Sequence, residues 1–289
     1  MIRLYNPQGE AFWIPLSEWR TGVLPAGLKS AWDNPPELYS LILGGLEDDL
    51  AGDLEEASAR LAAIDPIAER GATIRGIVLM KLGRLDEAEA ALRAGMARAG
   101  ETGALLTNLA KVQFERGDQT LAADTLWRGV QADPNLENGL LWWLSIQEER
   151  GGDEAWREGL RVAAQLSGAW RPQLWLARAC LDDGKLADAM ALYRQALSAP
   201  DLTPDALTMV SGDLGQRGHA AEALEIVSPL YDPASGDIAT GLNLLQCCEA
   251  LGRGRQGAAL VEQLLRLDLP PLRGDLEAYS LTFARMAGQ

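Results

Sequence analysis

The side chains able to do chemistry are few, and their placement works against catalysis. The only histidine, His219, directly follows Gly218. A Ser-His-Asp set needs an imidazole held by a buried carboxylate, which a turn position does not offer, so His219 reads as a surface residue. The three cysteines, Cys180, Cys247 and Cys248, are odd in number and two are adjacent, which is no disulfide framework. Zinc wants several Cys or His ligands, and one histidine with three scattered cysteines cannot supply a regular site. Cys247 and Cys248 point to different sides of a helix, and Cys180 and Cys248 read as buried, inert thiols. Carboxylates cluster at Glu47, Asp48 and Asp49 and again at Asp53, Glu55 and Glu56. A calcium loop alternates oxygen ligands around a glycine turn. This cluster instead spans one helix end and the next helix start, and reads as a solvated face whose acids favour the helix N-terminus. The glycines are spread along the chain, so no phosphate-cradling loop is present. No catalytic residue, metal site or cofactor is expected; what remains is binding.

Composition narrows the partner. The chain has 289 residues, 47% hydrophobic and 23% charged, enough apolar material for a sizeable core. A formal net charge of -15 and a pI near 4.6 set a field that repels a phosphate backbone and an anionic membrane surface. Neither nucleic acid nor membrane is an expected partner, and the acidity serves solubility. The cysteine usage fits a reducing compartment. The first residues lack the basic-then-apolar layout of a secretory signal, and no apolar run approaches the ~18 residues of a membrane span. The expected location is the cytoplasm. Oligomeric state and the partner's identity have no signature in the sequence.

The elements that would display a binding surface are set by a repeat. Gly184 opens the stretch Lys185-Leu186-Ala187-Asp188-Ala189-Met190-Ala191-Leu192-Tyr193, a turn followed by a short amphipathic helix, and Gly83 opens a matching stretch from Arg84 to Leu92. Worn copies follow Gly52, Gly117, Gly151, Gly218 and Gly252, with steps of 31, 34, 34, 33, 34 and 34 residues along the series. A fixed period near 34 marks a helical solenoid, which grows by stacking rather than by adding separate cores. Each unit carries alanine five residues past the glycine and a large apolar residue nine past it: Ala57/Leu61, Ala88/Leu92, Ala122/Leu126, Ala189/Tyr193 and Ala223/Val227. Small residues let two helices approach, and large ones fill the space beside them. Gly76, Gly95 and Gly129 serve the same purpose.

Residues 1–35 lie outside the repeat. Asn6-Pro7-Gln8-Gly9 between two apolar runs suits a type I turn and predicts a small β-hairpin. Ser17 caps a short helix through Trp19, and a second short helix is expected from Ala26 to Trp32. Trp13, Trp19 and Trp32 are expected to cover the open end of the solenoid. Asn34-Pro35-Pro36 starts the first helix pair. The repeats run over 36–270, and Leu272, Leu276, Tyr279 and Phe283 predict a capping helix over 271–289. Three departures stand out. Trp156 replaces the expected alanine after Gly151 and predicts a local distortion, Pro229 should kink or end the helix begun at Ala221, and Gly254 with Gly257 should loosen the last second helix.

The pattern of small residue, apolar residue, turn glycine, alanine, large apolar residue and terminal proline resembles the tetratricopeptide repeat, from Leu38 to about Pro270, in seven copies. The resemblance implies an all-α, right-handed superhelical solenoid in which the first helix of each pair lines a concave groove. The family's groove positions, 13, 10, 9, 6 and 3 residues before the turn glycine, fall on Ala104, Thr107, Asn108, Lys111 and Phe114 before Gly117. They fall on Asn138, Leu141, Trp142, Ser145 and Glu148 before Gly151, and on Arg171, Leu174, Trp175, Arg178 and Leu181 before Gly184. One subclass clamps a peptide's terminal carboxylate with lysines, asparagines and an arginine from three successive repeats. Asn108 matches one of those asparagines, but Thr73, Ile77, Asn138 and Trp142 stand where the other ligands are required, so the clamp does not carry over.

The remaining groove set is Asn108, Lys111, Asn138, Trp142, Arg171, Trp175 and Arg178. Its three cations form a local contrast in an acidic protein, and tryptophan and arginine often dominate interfaces. The expectation is a non-catalytic scaffold that takes a protein or peptide segment, extended or helical, bearing acids beside aromatic or leucine side chains. The alternative is an accessory or regulatory subunit of an enzyme complex, working through the convex face or the N-terminal arm.

Overall fold

The computed structural model describes residues 2–5, 11–14, 29–30, 36–63, 69–200, 202–267 and 270–288. Three short strands come first, β1 (Ile2–Tyr5), β2 (Ala11–Ile14) and β3 (Lys29–Ser30), in the order β2-β1-β3. β1 and β2 pair antiparallel with Ile2 opposite Ile14 and Tyr5 opposite Ala11, which is the expected hairpin. β3 pairs antiparallel with the other edge of β1, Leu4 opposite Ser30. The short helix expected from Ala26 to Trp32 is therefore wrong at its centre: edge pairing gives that backbone its hydrogen bonds instead. The turn at residues 6–10, the helix at Ser17, the Trp13 side chain, Trp19 and Trp32 lie outside the described residues.

All the long elements are helices. They are α1 (Pro36–Asp48), α2 (Ala51–Ala63), α3 (Glu69–Lys81), α4 (Leu85–Ala99), α5 (Gly103–Glu115), α6 (Gln119–Ala132) and α7 (Glu137–Ala164). After them come α8 (Trp170–Asp182), α9 (Leu186–Leu197), α10 (Pro204–Gln216), α11 (Ala220–Val227), α12 (Ile238–Ala250), α13 (Gly254–Leu265) and α14 (Arg273–Ala287). α7 is two helices joined through non-helical Gly151 and Gly152. The chain divides into two compact units, Met1–Gly152 and Asp153–Gln289.

Within each unit successive helices pack as antiparallel pairs, and the small residues show why. A side chain on Gly76 would meet Leu92 at 2.7 Å, and one on Gly95 would meet the Ala72 Cβ. Position 72 against 95 and 76 against 92 is the descending register of an antiparallel pair. The alanine and large apolar positions of the repeat are buried throughout: Ala57, Ala88, Ala122, Ala189 and Ala223, with Leu61, Leu92, Leu126, Tyr193 and Val227, are all at most 2% exposed. This is an all-α helical repeat with the small sheet before it.

Gly83, Gly117, Gly184, Gly218 and Gly252 lie at φ between +65° and +90°, a left-handed conformation that glycine adopts at no steric cost. Two turn assignments need correction. Gly52 lies inside α2, and the chain turns at Asp49, whose φ is +56°; aspartate tolerates this region better than most residues. In the fourth unit Gly152, at φ +67°, makes the turn, one residue later than Gly151, and the expected distortion falls there. α11 stops at Val227, before Pro229, as proline's missing N–H requires. Gly254 and Gly257 do not loosen α13. A side chain on Gly257 would meet the Phe283 ring, and one on Gly254 would meet Met286 at 2.8 Å, so both let α14 dock. Leu276 and Phe283, at 1% and 0% exposed, are the buried face of α14.

Candidate functional site

The seven expected groove residues divide between the two units. In the second unit the polar groups have partners inside the protein. Arg171 pairs with Asp205 at 2.7 Å and lies over the Trp170 ring at 4.6 Å. The Arg178 Nε donates to Asp213 at 2.8 Å, and Asp213, 7% exposed, also accepts from the Tyr193 hydroxyl at 3.1 Å and neighbours Arg217 at 3.6 Å. Burial and the Asp213 charge together push the Tyr193 phenol well above its usual range. The Arg217 guanidinium is in turn held above its ordinary value by its hydrogen bond to Asp182. Trp175 is 8% exposed. In this unit the two arginines are therefore neutralised by internal carboxylates, although the Arg178 side chain stays partly exposed, and the tryptophan is buried.

The period explains the neutralisation. Residues one repeat apart lie side by side, so Asp205 sits 34 residues after Arg171 and Asp213 sits 35 after Arg178. The same rule serves Asn243, whose Nδ2 donates to the Thr208 carbonyl at 3.3 Å and the Ser211 hydroxyl at 3.0 Å, in the preceding repeat.

The first unit carries the same repeat positions without those partners. Asn108 stands nine before its turn glycine, as Asn243 does. The residues that would match Thr208 and Ser211 are Thr73 and Gly76. Gly76 brings no hydroxyl, and it is glycine because Leu92 packs against it. The Asn108 Nδ2 therefore turns to the carbonyl of Ala104 on its own helix, at 2.8 Å, and among the described residues its Oδ1 has no partner. Asn108 is 5% exposed, and Thr73 Oγ1 and Thr107 Oγ1 are likewise buried without a partner.

Lys111 repeats the contrast. It stands six before its turn glycine, as Arg178 does. Ile146 or Gln147 occupies the place that corresponds to Asp213, depending on whether Gly151 or Gly152 is counted as the turn, and neither is an acid. Among the described residues Lys111 forms no ion pair, and burial of its half-covered side chain pulls its pKa below the ordinary lysine value. Next along the face of α5 comes Phe114, 45% exposed, whose ring meets the half-buried Trp142 of α7 edge to face, with centroids 5.9 Å apart and planes at 88°. Trp143 points the other way: it is 9% exposed and stacks on Trp127 at 4.4 Å, as neighbours about 100° apart on a helix must diverge. Asn138 and Leu141 are exposed on the first turns of α7.

The structure thus brings Asn108, Lys111 and Trp142 together on one stripe and adds Phe114, which groove position alone had marked. Arg171 and Arg178 belong instead to internal pairs. That loss was readable, since an aspartate stands one period after each arginine. The stripe can accept a carboxylate at Lys111 and seat an apolar group at the Phe114–Trp142 corner, with the buried Asn108 carboxamide next to Lys111 along α5.

The other chemically able residues form no competing centre. Among the described residues no group of three or more His, Cys, Asp or Glu could hold a metal ion. Acids of the early cluster are spent on neighbours, Asp49 with Lys81 and Glu55 with Arg84. Cys247 and Cys248 are both buried, and burial raises the Cys248 thiol to about 11; Cys180 is only partly buried, so it is less enclosed than its repeat position implied. His219 is half-buried at the start of α11. The second unit has a cleft of about 700 Å³ beside Arg161, Trp170 and Gln195, and another of about 200 Å³ beside Gly212, Gly215 and Asn243. None of the seven residues lines either one. Among the described residues no helix is long and apolar enough to cross a membrane.

No family model matches the chain, and no curated protein matches it. Solved structures do. The C-terminal part of a TPR repeat-containing protein from Cytophaga hutchinsonii matches at 12% identity and a TM-score of 0.37, over 84% of this chain and 99% of that one. PilF of Pseudomonas aeruginosa matches at 16% and 0.35, over 73% and 96%. A chain of Naa15/Naa10 bound to HypK-THB matches at 14% and 0.36 over 86% of this chain, which spans 39% of that one. None of these likenesses is close enough to carry an argument about function.

Proposed function

We propose that this chain is a non-catalytic scaffold that binds a peptide segment of a partner protein, and that the segment lies on α5 and the first turns of α7. The observation that supports this reading most is Lys111, which forms no ion pair among the described residues, beside the Phe114–Trp142 corner, whereas Arg178, the cation at the same repeat position in the second unit, is paired internally. A partly desolvated ammonium without a counter-charge is a cost to the free protein, and a carboxylate from outside relieves it. A half-buried tryptophan against an exposed phenylalanine is the kind of aromatic anchor that carries binding energy. The chain carries a formal net charge of -15, so a partner of high net negative charge is disfavoured and one with a few acids beside apolar residues is preferred. The original seven-residue groove narrows in this reading to Asn108, Lys111, Trp142 and Phe114, with Asn138 at the edge.

The test is selection of random twelve-residue displayed peptides on the full chain, with re-binding to Lys111→Glu and Trp142→Ala. The reading expects selected peptides to lose about tenfold or more on each variant, while circular dichroism stays helical. A tryptophan anchor worth ~2 kcal/mol corresponds to roughly thirtyfold. Selected peptides that bind both variants as tightly as the native chain would remove the stripe from consideration.

A further inference from the structure

We infer that the stripe selects one spacing: an acidic residue followed or preceded, two positions away, by a leucine or proline, on a segment bound in extended conformation. This inference rests on the reading above and specifies its ligand. Lys111 and Phe114 are three residues apart on α5, so they are neighbours on one face with Cβ atoms ~5–6 Å apart. In an extended chain, residues i and i+2 point the same way and lie ~6.6 Å apart, whereas adjacent residues point to opposite faces. Only the i, i+2 pair can present a carboxylate to the Lys111 ammonium and an apolar group to the aromatic corner together.

The corner's shape sets the second residue. Two rings at 88° with centroids 5.9 Å apart form an L, and Phe114 is 45% exposed. A branched aliphatic or a pyrrolidine ring touches both walls of such an L, and a long flexible side chain does not fill it.

Charge sets the first residue. Among the described residues Lys111 has no acid partner, so a basic ligand residue would meet an unscreened, partly desolvated cation. Asn108 sets the backbone conformation. Among the described residues its carboxamide donates to the Ala104 carbonyl and its Oδ1 has no partner, and a ligand backbone N–H satisfies that Oδ1 once the carboxamide rotates outward. An extended segment exposes such N–H groups; a helical one has spent them.

The experiment measures four fluorescein-labelled peptides of one length against the full chain by polarisation: Glu-Ala-Leu in a glycine-serine frame, its Gln-for-Glu form, its Ala-for-Leu form, and a form with Glu and Leu adjacent. The first is expected to bind at least tenfold tighter than each of the others. Lys111→Glu should reverse the preference in favour of a Lys-Ala-Leu peptide, a result that general loss of folding cannot produce. Equal binding of the spaced and adjacent forms would overturn the spacing rule. Display selection separates this failure from failure of the parent reading. Selected peptides that depend on Lys111 and Trp142 but lack the spacing refute only the spacing. Selected peptides indifferent to both residues refute both.

Discussion

Asn108 and Asn243 occupy one repeat position and should answer the same substitution with opposite signs. Asn243→Leu removes two hydrogen bonds, to the Thr208 carbonyl and the Ser211 hydroxyl. At about 0.5–1.5 kcal/mol each, the loss is roughly 1–3 kcal/mol. Asn108→Leu removes one bond, to the Ala104 carbonyl that lies within the α5 helical ladder, and also removes a buried acceptor that has no partner. An unpaired buried acceptor costs about 1–3 kcal/mol, so the net change is a gain of about 1 kcal/mol. Leucine is also the better helix former at both sites by a few tenths of a kcal/mol, which cancels when the two variants are compared. For units of about this size each kcal/mol moves the midpoint by ~2–4 °C. Thermal melts followed by far-ultraviolet circular dichroism should place Asn108→Leu a few degrees above the native chain and Asn243→Leu a few degrees below it. The stabilised Asn108→Leu should bind the selected peptides more weakly, since a polar group held at a cost in the free protein is the signature of a binding residue. If Asn108→Leu melts as far below the native chain as Asn243→Leu does, the Asn108 carboxamide is ordinary structural bonding and the argument from the orphaned oxygen fails.

Three further outcomes are expected. Trp143→Ala should destabilise the chain by about 3–5 kcal/mol as a core truncation, and Trp142→Ala by clearly less, read from denaturant midpoints; equal losses would mean that the register of α7 is misassigned. Lys111→Met should be more stable than the native chain at neutral pH. The lysine's folded pKa lies below its unfolded value of ~10.4, so the penalty for its charge is fully present below the folded pKa and fades as pH rises through that window; a stability difference independent of pH would contradict the burial argument. Gly95→Ala should cost about 1–3 kcal/mol despite alanine's better helix propensity, because the new Cβ would collide with Ala72 and force α3 and α4 apart.

The repeat was legible because its signals are stereochemical. A left-handed turn is cheapest with glycine, so Gly83, Gly117, Gly184, Gly218 and Gly252 announce themselves, and the paired alanine and large apolar positions report a buried interface wherever they recur. The misplaced turn at Gly52 shows the limit. Aspartate took the left-handed position at Asp49, and a glycine inside α2 gave the same letter without the same geometry. Strand β3 escaped because two residues carry no period, and its partner β1 lies two dozen residues earlier. At the site, residue type and groove position named Asn108, Lys111 and Trp142, which lie on α5 and the first half of α7. They could not separate Lys111 from Arg178, because that difference lies in the residue one period later: Asp213 for Arg178, and an uncharged side chain for Lys111. Position along one helix names a candidate; the neighbouring repeat decides whether its charge is free.

The most direct measurement is side-chain nuclear magnetic resonance of the full chain during titration with the tightest selected peptide. The Asn108 carboxamide, the Trp142 indole and the Lys111 ammonium methylene should shift with one common saturation curve, while the Arg178 guanidinium and the Asn243 carboxamide stay in place. Shifts that gather on Arg178 and Asn243 and leave Asn108, Lys111 and Trp142 unmoved would contradict the claim that the unpaired stripe of the first unit is where the partner binds.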